Sequence, residues 1–211
     1  MDKNRRITIA KKRAIERKKR EITTYYSAWN VGTEITIALD KEKREFSRYV
    51  IMDKNQLGNS YYFLLQSRFN RVYLTKVVFL GRRASLVKIV KTSEEYHNNK
   101  DTFDSWIKVV RDKIEEDKKE YFNEEYKRHE PIAVRPLVYK DDEVKFYKFV
   151  SKHKFRGEYY FVVRDQENEY IVTKVAYYGF AKLILLNDKE IERNKERFDL
   201  WISEAKRKPK K

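Results

Sequence analysis

One run in the chain has residue types and a spacing that suit catalysis. It is Asp141-Asp142-Glu143-Val144-Lys145, with its Glu-x-Lys step. Metal-dependent nucleases use such a step: carboxylates hold the cation and a lysine helps the attacking water. That chemistry needs a further carboxylate converging from another strand, and the sequence names none. The run reads equally well as a solvated hairpin turn, like Asp40-Lys41-Glu42-Lys43 earlier in the chain. His97, His129 and His153 stand apart from one another, without a ligand neighbour one helical turn on, and read as surface histidines. With 5 glycines spread over the chain there is no Gly-rich phosphate loop, and no Gly-x-Ser-x-Gly elbow occurs. The absence of cysteine excludes disulfides, thiolate metal sites and a cysteine nucleophile. The expectation is a protein that is not an enzyme, with no catalytic residue, cofactor or metal.

Binding chemistry is better represented. The formal net charge is +16, from 49 Lys and Arg against 33 Asp and Glu, which points to a polyanionic partner. Aromatic residues make up 15% of the chain, enough to supply flat surfaces as well as a core. Single-stranded nucleic acid needs both: charge to follow phosphates and rings to stack bases. The cationic candidates are Lys11, Lys12, Arg13, Arg17, Lys18, Lys19 and Arg20 near the N-terminus, Arg82 and Arg83 in a Gly81-Arg82-Arg83 turn, and Lys76 and Lys174. The stacking candidates are Tyr25, Tyr26, Trp29, Tyr61 and Tyr159. Against each tyrosine stands a structural role, because paired aromatics in a strand usually place one ring in the core. Trp106 and Trp201 lie on apolar helical faces and are assigned to the core.

These residues sit in a pattern that occurs twice. Tyr61-Tyr62-Phe63 leads through Thr75-Lys76-Val77 to Gly81, and Tyr159-Tyr160-Phe161 leads through Thr173-Lys174-Val175 to Gly179. Each copy closes on a helical phrase, Phe103-Asp104-Ser105-Trp106-Ile107 and Phe198-Asp199-Leu200-Trp201-Ile202. A spacing of about a hundred residues between matched positions marks an internal duplication. Period-two runs predict strands at 33–39, 46–52, 61–66, 72–80 and 84–90, and again at 144–150, 159–163, 170–178 and 180–186. Residues 53–60 read as a loop. Helical spacing predicts a closing helix around Phe103–Ile114, stopped before Pro131, and another from Asn187 or Asp188. Residues 1–20 predict a basic helix with Ile7, Ala10, Ala14 and Ile15 as its narrow apolar stripe. The fold class is therefore α+β, a tandem ββββα-ββββα duplication of an antiparallel unit behind a basic N-terminal helix. The expected divisions are 1–24 for the arm, 25–129 for the first unit and 130–211 for the second. Lys76 and Lys174 fall at matched places in apolar strands, so each must snorkel, pair with an acid or line a polar surface. The last of these is favoured.

In its order of elements, and in the repeated Phe-Asp-x-Trp-Ile phrase, the stretch 33–207 resembles the PUR-repeat proteins and the plant Whirly proteins. The mitochondrial guide-RNA-binding proteins share that architecture. The resemblance implies two units interlocked about a pseudo-twofold axis, and aromatic sheet faces that bind single-stranded nucleic acid.

The functional expectation is a nucleic-acid-binding protein of low sequence specificity, with single strands favoured over duplex. The alternative is a structural or assembly protein of a virion or nucleoprotein particle, whose basic arm and units dock on protein partners or further copies of the chain. No apolar run approaches the roughly 20 residues that span a bilayer, so no membrane insertion is expected. The charged N-terminus lacks a signal peptide's apolar core. An intracellular place follows as an expectation: cytoplasm, nucleoid or nucleus, or a virion.

Overall fold

The computed structural model describes residues 3–39, 46–68, 70–81, 83–125, 132–134 and 145–207. The fold is α+β with two antiparallel sheets. The chain opens with helix α1 (Lys3–Ala28). The first sheet follows, in the order β1 (Glu34–Ile37), β2 (Ser47–Leu57), β3 (Ser60–Ser67), β4 (Val72–Leu80) and β5 (Arg83–Lys88). A short helix α2 (Glu94–Asn98) leads into the long α3 (Lys100–Glu124). In the second sheet four strands, β7 (Lys145–Phe155), β8 (Glu158–Arg164), β9 (Tyr170–Tyr177) and β10 (Ala181–Leu185), are flanked at β7 by the three-residue β6 (Ile132–Val134). Helices α4 (Asp188–Arg193) and α5 (Lys195–Arg207) end the described chain. By compactness the chain divides into Met1–Arg111 and Asp112–Lys211, a division that falls inside α3 rather than at the expected 129.

The sequence period breaks where the backbone does. Residues 53–57, read as loop, continue β2 after a bulge between Ile51 and Asp53. A bulge at the same place in β7, between Phe149 and Ser151, lengthens that strand too. A bulge inserts one residue and swaps the faces of those that follow, so alternation is lost while pairing resumes. Two-residue turns then close the hairpins, Gly58-Asn59 in one sheet and Arg156-Gly157 in the other. Arg156 and Gly157 both take positive φ (51° and 79°), the pairing that matches a hairpin's right-handed twist. The helix expected from Asn187 is two helices, capped by Asn187 and broken at Asn194.

Each sheet buries both faces. In the first, Phe63 and Leu65 face α1 and share a core with Ile35, Tyr49, Ile51, Val77, Ala84 and Leu86, against which Ile22, Tyr25, Tyr26 and Trp29 pack. On the opposite face Tyr62 meets Phe103 of α3 edge-on at 5.3 Å. Trp106 is buried beside them, its indole N–H donating to Asp53 Oδ2 at 2.7 Å. In the second sheet Tyr159, Phe161 and Val163 pack under Phe122 of α3. Tyr160 and Val162 pack under Phe198, Trp201 and Ala205 of α5.

The α1 residues described as packing on the core, Ile22, Tyr25 and Tyr26, lie in its last two turns. Every residue from 11 to 20 is exposed, Ile15 by 55%, so Ala14 and Ile15 do not form the buried stripe expected of them. At the other end Lys54 Nζ donates to Trp29 O at 2.8 Å and to Tyr26 O at 3.4 Å, and lies 4.9 Å above the Tyr26 ring. A cation on the terminal carbonyls satisfies groups that a helix leaves open and meets the negative end of its dipole.

Candidate nucleic-acid interface

Where α1 crosses the start of β5 the surface opens into a cleft of about 590 Å³, lined by Arg20, Glu21, Thr24, Tyr25, Ala28, Trp29, Arg83 and Ala84. The helix period places the α1 members: residues 21, 25 and 28–29 recur on one side, with 20 and 24 beside them. The start of β5 brings Arg83 opposite. Ala28 and Ala84 are small, which leaves room between the two walls. Tyr25 and Trp29 meet edge-on at 6.2 Å. Burial raises the Tyr25 phenol above its ordinary value; a hydrogen bond from Trp29 and the Arg83 charge oppose that shift. Arg20 and Arg83 are exposed at the rim. Two guanidinium groups beside two half-buried rings can hold a phosphate and a base face together.

The remaining expected residues separate into three groups. Lys11, Lys12, Arg13, Arg17, Lys18 and Lys19 lie exposed on the same helix as Arg20; the helical period puts Arg13 and Arg17 on the cleft side with Arg20 and the four lysines elsewhere round the helix. Arg17 reaches Glu21 at 3.8 Å, and Lys18 lies 5.7 Å above the Phe79 ring. Arg82 lies outside the described residues. Tyr26, Tyr61 and Tyr159 are not offered for stacking. Tyr26 rests on Tyr61 at 4.7 Å and Phe63 at 5.3 Å, and Tyr159 is buried under Phe122 at 4.9 Å. Among the described residues, α1 and α3 pack on the two faces of the first sheet, and α3 and α5 on those of the second.

Lys76 and Lys174 require a correction, because their charges are already matched. Lys76 Nζ donates to Glu95 Oε1 at 2.6 Å, and the Tyr62 hydroxyl donates to the same oxygen at 2.6 Å. Lys174 Nζ and the Tyr160 hydroxyl meet Glu190 Oε1 in the same way, at 3.0 and 3.2 Å. Burial raises the Glu95 carboxyl, but the hydrogen bonds from Lys76 and Tyr62 and the Lys76 charge outweigh it, and the net shift is downward. Burial and the bond to Glu95 push Tyr62 up to about 12. Each triad ties a strand to the first turn of the next helix, a clasp between the two.

The positions around the cleft can be matched to positions in the second unit. Phe122 covers Tyr159 and Phe161 as Tyr26 covers Tyr61 and Phe63, and Lys152 lies 5.1 Å above Phe122 as Lys54 lies above Tyr26. This match sets Glu116 in place of Arg20, Asp117 in place of Glu21 and Glu120 in place of Thr24. Ala84 pairs with Phe79 as Ala181 pairs with Tyr177, so Phe180 replaces Arg83 and Tyr177 replaces Phe79. The matched position of Ile22 holds Lys118, which is 1% exposed. Lys118 donates to Glu115 at 2.9 Å and Glu158 at 3.1 Å.

Among the described residues no group of His, Asp or Glu could hold a metal ion, and no helix is long and apolar enough to cross a membrane. The Asp141–Val144 stretch lies outside the described residues. Glu21, Thr24, Ala28 and Ala84 were not singled out in the sequence. The signal that could have found the first three is the helical spacing from Tyr25 and Trp29. Compared with family models, curated proteins and solved structures, the chain finds no match.

Proposed function

We propose that the protein binds single-stranded nucleic acid without catalysis, through the exposed cationic side of α1 and the α1–β5 cleft. The observation that carries this reading is the convergence of Arg20, Arg83, Tyr25 and Trp29 at one opening. Phosphates lie along Lys11–Arg20 and one base enters the cleft, which a paired base in a duplex does not do. The chain is a tandem duplication in which the first unit, with its basic arm, carries the strand, and the second, with Glu116 and Glu120 on its helix, does not. The resemblance to PUR-repeat proteins fits the class of ligand but not the sheet-face route to it.

Fluorescence anisotropy with single-stranded DNA, single-stranded RNA and duplex DNA at several salt concentrations tests the reading. Single-strand binding that persists in part at roughly physiological salt, and weakens on Arg83→Ala, is the expected result. Equal binding to all three that vanishes steeply with salt would mean bare charge and would sink it.

A further inference from the structure

We infer that Glu21 reads the base held in the α1–β5 cleft and selects guanine. This rests on the single-strand reading above. Glu21 is the one carboxylate among the cleft's lining residues. Its ion pair with Arg17, at 3.8 Å, is beyond hydrogen-bond length. A carboxylate in a phosphate-binding cleft weakens binding by repulsion unless donors meet it.

The second unit shows what a partnered carboxylate looks like at this place. There Asp117 accepts a hydrogen bond from the Tyr177 hydroxyl. In the first unit the residue matched to Tyr177 is Phe79, which has no hydroxyl to give. The same acid position is retained, its internal donor is missing, and the side chain is one methylene longer and lines the cleft.

Base edges differ in what they offer a carboxylate. Guanine sets its N1–H and its 2-amino group side by side, two donors for two oxygens. Adenine and cytosine set one amino group beside a ring nitrogen acceptor, which repels the second oxygen. Thymine and uracil set a single N–H between two carbonyls. A guanine with its face against Tyr25 or Trp29 and its phosphate on Arg20 or Arg83 would satisfy every polar group named here.

The test uses thymidine 15-mers carrying one central guanine, adenine or cytosine, measured by anisotropy at fixed salt. The guanine strand should bind about tenfold tighter than the all-thymidine strand. Glu21→Ala should bind all four alike. Wild-type protein that binds the four alike, or prefers adenine or cytosine, overturns the inference; so does a Glu21→Ala variant that keeps the preference. Titration with guanosine and uridine monophosphates, read by tryptophan fluorescence with Trp29→Phe as control, separates this claim from the one beneath it. A guanosine response that Glu21→Ala abolishes, in protein that binds no strand, would remove the strand reading and leave Glu21 as a guanine reader. No response to either nucleotide would overturn the role of Glu21.

Discussion

The two units place the same side-chain layers around the same order of strands, yet they differ at the helix that covers the outer tyrosine of β3 and β8. In the first unit that helix brings Ile22 to the sheet, and Ser60 stands at the hairpin end. In the second, Lys118 and Glu158 hold those positions and form an ion pair in which the lysine is buried and the glutamate partly exposed. In the second unit Asp117 accepts a hydrogen bond from Tyr177; in the first, the position matched to Tyr177 holds Phe79, which has no hydroxyl. In the first unit arginines flank the opening; in the second Glu116 and Phe180 hold the matched positions. In the second unit Lys118 and Asp117 thus meet partners within the chain, whereas the first brings an acid, two guanidiniums and two rings to one cleft. A shared scaffold fixes where side chains go and leaves open whether their valences are met within the chain or by a ligand.

Exchanging residues between the units tests this difference, beginning with the largest expected effect. Glu158→Ser removes a partner of the buried Lys118 and should cost about 2–4 kcal/mol in urea denaturation. Adding Lys118→Ile, which completes the first unit's arrangement, should recover most of that loss. The pair also sets an alkaline limit. Burial lowers the Lys118 pKa, but its bonds and charges with Glu115 and Glu158 outweigh this, and the net shift is upward from 10.5. Its stabilisation is therefore whole below that value and lost as pH rises through the higher folded value. Lys118→Ile should flatten that part of the stability profile.

Arg20→Glu gives α1 the acid that the second unit carries, and should weaken single-strand binding about tenfold or more while reducing its salt dependence. The reverse change, Glu116→Arg, should leave affinity within about threefold, since no matching arginine stands at Phe180. An equal effect of the two changes would break the distinction between the units. Next is the clasp that the units share. Glu95→Gln should cost about 1–2 kcal/mol near neutral pH. Glu95 titrates below its ordinary 4.5, so its stabilisation is present above 4.5 and lost as pH falls through the lower folded value. Acid titration of the variant should lack that loss.

The smallest effect is expected of Tyr177→Phe, which copies Phe79 into the second unit. It should cost about 1 kcal/mol. Burial, with the Asp117 bond and charge, pushes the Tyr177 phenol up to about 12 from an ordinary 10.0. Its stabilisation holds below 10.0 and is lost between there and about 12. The variant should lose that dependence.

Much of this architecture was legible in the chain because strands with one clear period and repeated phrases survive as text. Tyr62 and Tyr160, Lys76 and Lys174, and Trp106 and Trp201 could be matched by eye. The clasp acids could not: the link from β5 to α2 differs in length from the link from β10 to α4, so Glu95 and Glu190 fall out of step with the strands they meet. The polar stretch Asp53-Lys54-Asn55 read as loop because a bulge hides its pairing. Tyr25 and Trp29 were picked out for their rings, and Arg20 and Arg83 for their charge, but nothing local joins residue 83 to residue 20. Only the antiparallel path of β5 beneath α1 does that. Tyr61 and Tyr159 misled because a ring next to a basic residue looks alike whether it is packed or open.

The way α1 is held has a consequence for motion. Its described apolar contacts fall in its last two turns, with Lys54 locking the final carbonyls, and residues 11–20 have exposed side chains throughout. Amides in the first half should exchange with deuterium almost as fast as in an isolated helix, and those near Tyr25 and Tyr26 much more slowly. The protection boundary would then fall near Arg20 and Glu21, at the rim of the cleft. A strand that grips both Arg20 and Arg83 would move this boundary toward the N-terminus, so occupancy could be read as a lengthening of the slow-exchanging helix.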